Sequence, residues 1–501
     1  MTTRGGLLVC GTASDAGKSL VTAGICRWLH RRGVSVAPFK AQNMALNSAV
    51  TPSGAEIGRA QAMQAAAAGV EPEAAMNPVL IKPSGVNHSQ VLLMGRPHAD
   101  ATARSYQELK AGLRAGVASA LTDLRLRFDV VICEGAGSPA EINLRAGDLA
   151  NMGLARSADL PVLLVGDIDR GGVFASLVGT LAVLEPADQA LIGGFLINKF
   201  RGDASILEPG LDDLRERTGR PTLGVLPWKE GLWLDVEDSL ALEAARPEAA
   251  PAVGRDTLEV VVVRLRWMSN FTDIDALAAE PGVSVRFTRS VADIARADLV
   301  LVPGTKATVE DLQRLRETGL ADALVARAEA GQPILGVCGG YQLLGTEIED
   351  DVESGQGTVA GLGLLPVRTR FEREKLLRHV SGSARALGNE PATGYEIRHG
   401  RPVRKGAEAL LDDGTTGGEG CVVGPVIGTS WHGLLEGDAV RRALLGWVAA
   451  RRGRDWAPGD RPFAAVRERH LDALGDLIEE HADTAGLPSL TTSLAPSGVL
   501  A

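Results

Sequence analysis

Paired cysteines, clustered histidines, long apolar runs and an excess of positive charge are all missing from this 501-residue chain. Each absence closes a class of function. Cys10, Cys26, Cys133, Cys338 and Cys421 are scattered, with no C-x-x-C pair and no His cluster at metal spacing, so neither a disulfide framework nor a zinc site is expected. A reducing, cytoplasmic setting fits that usage. The apolar stretch Leu7 to Cys10 is far too short for a secretory signal or a membrane span. A net charge of -10 argues against a nucleic-acid surface, which needs clustered Lys and Arg. What is present, 45% apolar and 23% charged residues, describes a globular protein too long for one hydrophobic core.

Two series of short apolar runs alternate with amphipathic segments. Leu7–Cys10, Val34–Pro38, Val130–Cys133, Pro161–Val165 and Leu191–Ile197 form the first series, and Leu258–Val263, Val283–Phe287, Leu299–Val302 and Pro333–Val337 form the second. That rhythm predicts two α/β domains, each with a parallel sheet covered by helices. The expected division is 1–240 for the first domain, 241–256 for an Ala/Pro/Glu-rich linker and 257–447 for the second. Residues 448–501 are expected to hold one helix, Phe463 to His481, and a disordered tail from about Asp483.

The first strand runs into Gly11-Thr12-Ala13-Ser14-Asp15-Ala16-Gly17-Lys18-Ser19, followed by a helical segment. Backbone amides of such a loop cradle phosphates, Lys18 reaches the terminal phosphates, and the Ser19 hydroxyl suits Mg²⁺. Thr12 stands where the usual P-loop has its first glycine, a variant that resembles the loop of dethiobiotin synthetase and its relatives. Thr12, Gly17, Lys18, Ser19 and Asn198 are the nucleotide-binding candidates. Glu134, closing the strand Val130–Cys133, is the candidate second Mg²⁺ ligand, since the crevice of an open parallel sheet lies at the carboxyl ends of its strands. Asp167 and Asp169 end the next strand and read either as site carboxylates or as turn formers.

In the second domain Pro333–Val337 leads into Cys338-Gly339-Gly340. A Gly-x-Cys-x-Gly strand-to-helix turn exposes its nucleophile above the sheet and sets the sulfur at a helix N-terminus. His432, after the apolar strand Cys421–Ile427, is the candidate base, with His399 ranked second as a pocket or structural residue. The Gly339 amide and Gly304 are the candidate oxyanion donors. Glu436 is the candidate orienting acid.

In order along the chain, these segments resemble the cobyric acid synthase family up to about Trp447. The likeness is carried by Pro38-Phe39-Lys40-Ala41-Gln42-Asn43-Met44-Ala45-Leu46-Asn47, Glu134 to Asn143, Asp148 to Met152, Asn198 to Asp203 and Gly394 to Ile397, together with the fused cysteine elbow. It implies a P-loop, dethiobiotin-synthetase-like domain joined to a class I glutamine amidotransferase-like domain, ATP and Mg²⁺ as cofactors, and glutamine and a corrinoid polycarboxylate as substrates, with neither nucleic acid nor membrane as partner. The implied reaction is amidation of the b, d, e and g carboxylates of adenosylcobyrinic acid a,c-diamide. The family's nucleophile maps onto Cys338 and its histidine onto His432.

Two departures stand out. Leu434 occupies the place where many class I glutamine amidotransferases carry an acid, and Tyr395-Glu396-Ile397 is followed by Arg398 with His399 one place later. Lys40, Gln42, Asn43 and Asn47 are the expected substrate contacts, with Lys82, Arg170, Lys199 and Arg201 as further basic lining. A cobyrinic acid a,c-diamide synthase, and a P-loop partitioning protein with a silent glutaminase-like domain, remain open on sequence alone.

Overall fold

The computed structural model describes residues 5–85, 87–232, 235 and 250–492. Most of the expected linker, 241–249, lies outside the described residues. Six parallel strands form the first sheet, in the order Thr222–Pro227, Ile192–Phe200, Val162–Asp167, Gly5–Gly11, Val130–Glu134, Val36–Phe39. Its central strands are apolar on both faces because helices cover both: Leu7 to Cys10 and Val162 to Val165 are wholly buried. The second sheet runs Val283–Thr288, Leu258–Val263, Leu299–Val302, Ile334–Val337, Val426–Thr429, Cys421–Val423, with only the last strand antiparallel. Among the described residues no helix is long and apolar enough to cross a membrane.

Two additions, one a mixed sheet and one an antiparallel hairpin, escaped the periodicity reading. Between the second and third strands of the first sheet, residues 42–101 build a small sheet in the order Gln42–Met44, Val79–Pro83, Ser89–Leu93, Arg96–Ala101. In the second domain a long hairpin, Val367–Ala384 with Glu390–Arg404, reaches across to the first. At the junction Leu377, Tyr395 and Ile397 pack with Val50, and His379 Nε2 meets Val50 O at 2.9 Å.

The helix Phe463–His481 crosses back onto the first domain. It lies against the helix Lys18–Arg31 that follows the phosphate loop, burying Leu471, Leu474 and Ile478 in that core. Arg27, Arg31 and Arg32 meet Asp472, Asp476 and Glu479 along its flank. The expected disorder from Asp483 is overturned for the described part: Gly486–Thr492 is helical, and Leu487 and Leu490 pack on the same core. Burial of these two side chains contributes to holding the short helix in place, with its backbone hydrogen bonds adding to it.

Candidate functional site

Cys338 ends the strand Ile334–Val337 and caps the helix Gly339–Leu343 with φ 50° and ψ -109°. Such a backbone conformation is costly for any residue with a Cβ and concentrates at functional sites. Its neighbours must be small: a Cβ on Gly340 would sit 1.9 Å from Val302 O. The sulfur lies 3.8 Å from Ile397 O and lines a pocket with about 440 Å³ of unfilled space, shared with His432, Gly339, Thr305 and Gln342.

His432 faces this sulfur and is buried. Its Nδ1 lies 2.6 Å from Asp273 Oδ2, while Asp273 Oδ1 accepts the Gly433 amide at 2.8 Å. The Tyr395 ring stacks on the imidazole with centroids 5.6 Å apart, and the two residues exchange backbone hydrogen bonds of 2.9 Å. Burial alone disfavours the charged ring, yet Asp273 and the Cys338 sulfur together raise its pKa to about 10.

The acid beside His432 is therefore Asp273, not Glu436. Glu436 Oε1 accepts Arg59 Nη2 at 2.7 Å, and Arg467 Nη1 lies 3.4 Å from Oε2, so its carboxylate faces the other domain. Asp273 lies in the turn Phe271–Ile274, beyond the carboxyl end of the first strand of this domain, and no spacing to His432 announces it. Gly304 sits against the imidazole: a Cβ there would be 3.0 Å from His432 Cε1. The Gly339 amide opens the helix beside Cys338. His399 also lines the pocket, with Nδ1 held 3.0 Å from Glu372 O and its pKa lowered by burial.

At the first sheet Gly17, with φ 93°, caps the helix Lys18–Arg31. Lys18 Nζ donates to Ala13 O and Ser14 O, both at 2.9 Å, folding over the loop. Asn198 Nδ2 donates to Ala16 O at 3.0 Å and so braces the same loop. The Thr12 amide is taken by Val165 O at 2.9 Å, so it belongs to the sheet and not to the cradle. Ser19 Oγ donates to Glu134 Oε1 at 2.8 Å. Lys40 Nζ donates to the same oxygen at 2.8 Å, and Gln64 Nε2 donates to Oε2 at 2.6 Å. Burial pushes the Glu134 pKa up, but Lys40 and these hydrogen bonds outweigh it and hold the carboxyl ionised.

The comparisons decide the family. A family model of the CobQ/CobB/MinD/ParA nucleotide binding domain matches residues 7–240, and one of the CobB/CobQ-like glutamine amidotransferase domain matches 259–440. Over 99% of the chain it is 59% identical to the cobyric acid synthase of Frankia casuarinae, 60% to that of Streptomyces coelicolor and 53% to that of Mycolicibacterium smegmatis, covering 98% of each. The chain belongs to the cobyric acid synthase family. It is an ATP-using glutamine amidotransferase and amide synthase built from two α/β domains.

Within this synthase the expected substrate contacts separate. Gln42 lines a pocket beside the Gly135–Ser138 turn, with Lys110, Ser138 and Arg145, and its Oε1 accepts from Tyr106 Oη at 2.6 Å. Lys40 is instead buried against Glu134. Asn43 Nδ2 donates to Gln61 in the interior at 2.9 Å. Asn47 is buried at the domain seam, its Oδ1 accepting the Phe271 amide of the glutaminase domain at 3.1 Å. Of the three amides read as recognition elements, Asn47 bonds across the two domains and Asn43 bonds within the first, a distinction that sequence cannot make because each use places polar groups in an apolar neighbourhood.

The basic lining is also committed elsewhere. Arg170 pairs with Asp15 at 3.0 Å, Lys199 with Asp167 at 2.9 Å, Arg201 with Asp169 at 3.0 Å, and Lys82 with Glu56 at 2.5 Å. Asp167 and Asp169 thus serve as ion-pair partners, and Asp167 Oδ1 also accepts the Asp169 amide as a turn former.

Proposed function

We propose that this synthase amidates the b, d, e and g carboxylates of adenosylcobyrinic acid a,c-diamide to give adenosylcobyric acid, consuming ATP and glutamine. The observation that carries it is the meeting, in one chain, of a cysteine elbow with its His432–Asp273 pair and a phosphate loop with its own buried carboxylate, on a scaffold alike to the curated synthases end to end.

Cys338 attacks the side-chain amide of glutamine, the Gly339 amide receives the developing oxyanion, and His432 delivers a proton to the departing nitrogen. Water then cleaves the thioester to glutamate. Asp273 keeps Nε2 of His432 directed at the sulfur and stabilises the imidazolium. In the other domain a corrinoid carboxylate attacks the terminal phosphate of ATP. The acyl phosphate is the electrophile that ammonia needs, since a free carboxylate resists it. Lys18 and the loop amides hold the phosphates and offset their charge.

The donor set fits Mg²⁺. Ser19 Oγ and Glu134 Oε1 offer hard oxygens in mutual contact beside the loop, and a phosphate-site Mg²⁺ takes its remaining ligands from phosphate and water. When bound it supplies charge neutralisation at the transferring phosphoryl group.

The test is turnover with ATP, Mg²⁺ and glutamine, with products resolved by mass. Wild-type protein is expected to add the b, d, e and g amides to the a,c-diamide, whereas amides formed only at a and c of cobyrinic acid would overturn the substrate assignment. Cys338→Ala is expected to lose glutamine-driven synthesis while added ammonium still supports it. Unchanged glutamine-driven synthesis in that variant removes the nucleophile assignment.

A further inference from the structure

The pocket at Cys338 carries more charge than the thiol chemistry uses. Lys306 and Glu353 line it as an ion pair, with side chains only 9% and 15% exposed. Glu353 stands in the turn that joins the antiparallel strands Glu347–Asp350 and Gly357–Ala360. The buried Asp350 carboxylate accepts the amides of Val352, Glu353 and Ser354 at 3.0, 2.8 and 3.0 Å, which fixes that turn beside the pocket. Glu353 is the only carboxylate among the described residues that line it.

His399 lines the same pocket and is buried. Its Nδ1 faces Glu372 O at 3.0 Å, and a carbonyl only accepts, so the ring proton sits on Nδ1. Burial lowers the pKa and keeps the ring neutral, leaving a lone pair on Nε2. That atom is buried with no hydrogen-bond partner among the described residues. The charges acting on the ring are those of Glu353, Lys306 and Lys375. A buried acceptor without a donor is costly, and the open space beside Glu353 is where a donor can enter.

Lysines outnumber carboxylates around this space. Lys375 and Lys82, the latter from the first domain, also line the pocket, and they share the fully buried Glu56 at 2.5 Å each. Three ammonium groups thus meet two carboxylates, so an anionic group can enter without unpairing either acid. The pocket offers a pair of acceptors for one cationic group and spare positive charge for one anionic group. The head of an α-amino acid carries both on a single carbon.

We propose that Glu353 and His399 Nε2 receive the α-ammonium of glutamine while Lys306 and Lys375 hold its α-carboxylate, so that the pocket selects the free amino acid and sets its side-chain amide at Cys338. The proposal rests on the reading that Cys338 hydrolyses glutamine, and it names what recognises the end of the molecule that does not react. On binding, Lys306 exchanges Glu353 for the α-carboxylate and Glu353 exchanges Lys306 for the α-ammonium, so no charge is left unpaired.

The experiment compares two reagents that alkylate Cys338: the diazoketone analogue of glutamine, which carries the amino-acid head, and chloroacetamide, which has none. Glu353→Gln and His399→Leu are each expected to slow the first about tenfold or more, as for a lost hydrogen bond to a charged group, and to change the second by less than about twofold. KM for glutamine should rise by a similar factor with kcat within about threefold, since contacts to the head are alike in ground state and transition state. Ammonium-driven synthesis, which bypasses this pocket, reports folding. Unchanged alkylation by the diazoketone, or equal slowing of both reagents, overturns the assignment. If Glu353→Gln loses ammonium-driven synthesis because Lys306 is left unpaired, His399→Leu decides by the same criteria. Loss of ammonium-driven synthesis in both variants assigns the two residues to structure and overturns the proposal as well. Failure of the underlying reading would appear separately, as glutamine-driven synthesis surviving in Cys338→Ala.

Discussion

Replacing Asp273 by Asn tests the glutaminase geometry most directly, because it removes one charge and alters almost no volume. The wild-type carboxylate accepts twice, from His432 Nδ1 at 2.6 Å and from the Gly433 amide at 2.8 Å. An asparagine must keep its oxygen toward the Gly433 amide, since that group only donates. Its NH₂ then donates to Nδ1, and the neutral imidazole is left with its proton on Nε2, facing the sulfur it should deprotonate. The ionic part of the loss is about 4 kcal/mol for unit charges roughly 4 Å apart at an effective dielectric constant near 20. At about 1.4 kcal/mol per decade, that corresponds to a fall of about a thousandfold in kcat for glutamine hydrolysis. The loss is somewhat below the roughly ten-thousandfold typical of the same change in serine triads. Glutamate release is the assay, with ammonium-driven synthesis as the control for folding. Glu436→Gln should change glutamate release by less than about tenfold, because its carboxylate faces Arg59 and Arg467. A loss below tenfold in Asp273→Asn, or an equal loss in Glu436→Gln, refutes the assignment.

Two further outcomes follow from burial. Desolvation raises the pKa of Glu419 to about 7, opposed by hydrogen bonds from Ser430 N at 2.6 Å and Thr429 Oγ1 at 2.7 Å. A carboxyl whose folded pKa lies above its unfolded value of 4.5 favours the fold fully below that value and loses the contribution as pH rises through about 7. Glu419→Gln should therefore flatten the stability profile between those pH values and gain up to about 3 kcal/mol at pH 8. Denaturant titrations across that range check it, and an unchanged slope counts against it. Ile478→Ala, on the helix clasped to the phosphate-loop helix, should cost about 2–4 kcal/mol. A loss under about 1 kcal/mol would mean that the helix is not part of that core.

Much of the scaffold was legible because its signals are local. The strand Leu258–Val263 and the helix Phe463–His481 fall where periodicity places them, since a strand buried on both faces must be continuously apolar and an amphipathic helix must repeat every 3.6 residues. The small sheet within 42–101 was not legible. Its strands are short, and Arg96–Ala101 is mostly exposed and carries only Pro and Ala between its polar residues, so no run of bulky apolar side chains marks it. The destination of the terminal helix was equally hidden. Its apolar stripe says that something covers it, and only the fold says that the cover is the phosphate-loop helix of the other domain.

At the sites the same division holds. The sequence alone singled out Gly11–Ser19 and Cys338 with His432 as the candidate centres, because a phosphate cradle and a nucleophile elbow each require particular small residues at adjacent positions. Tertiary structure decided the partners. Asp273 reaches His432 across 159 positions, Glu436 turns away to Arg59, and Asn47 and Lys82 find partners at the seam. Such choices depend on which strand ends converge and which charges must be paired when two domains close on one another, and sequence spacing carries no record of either.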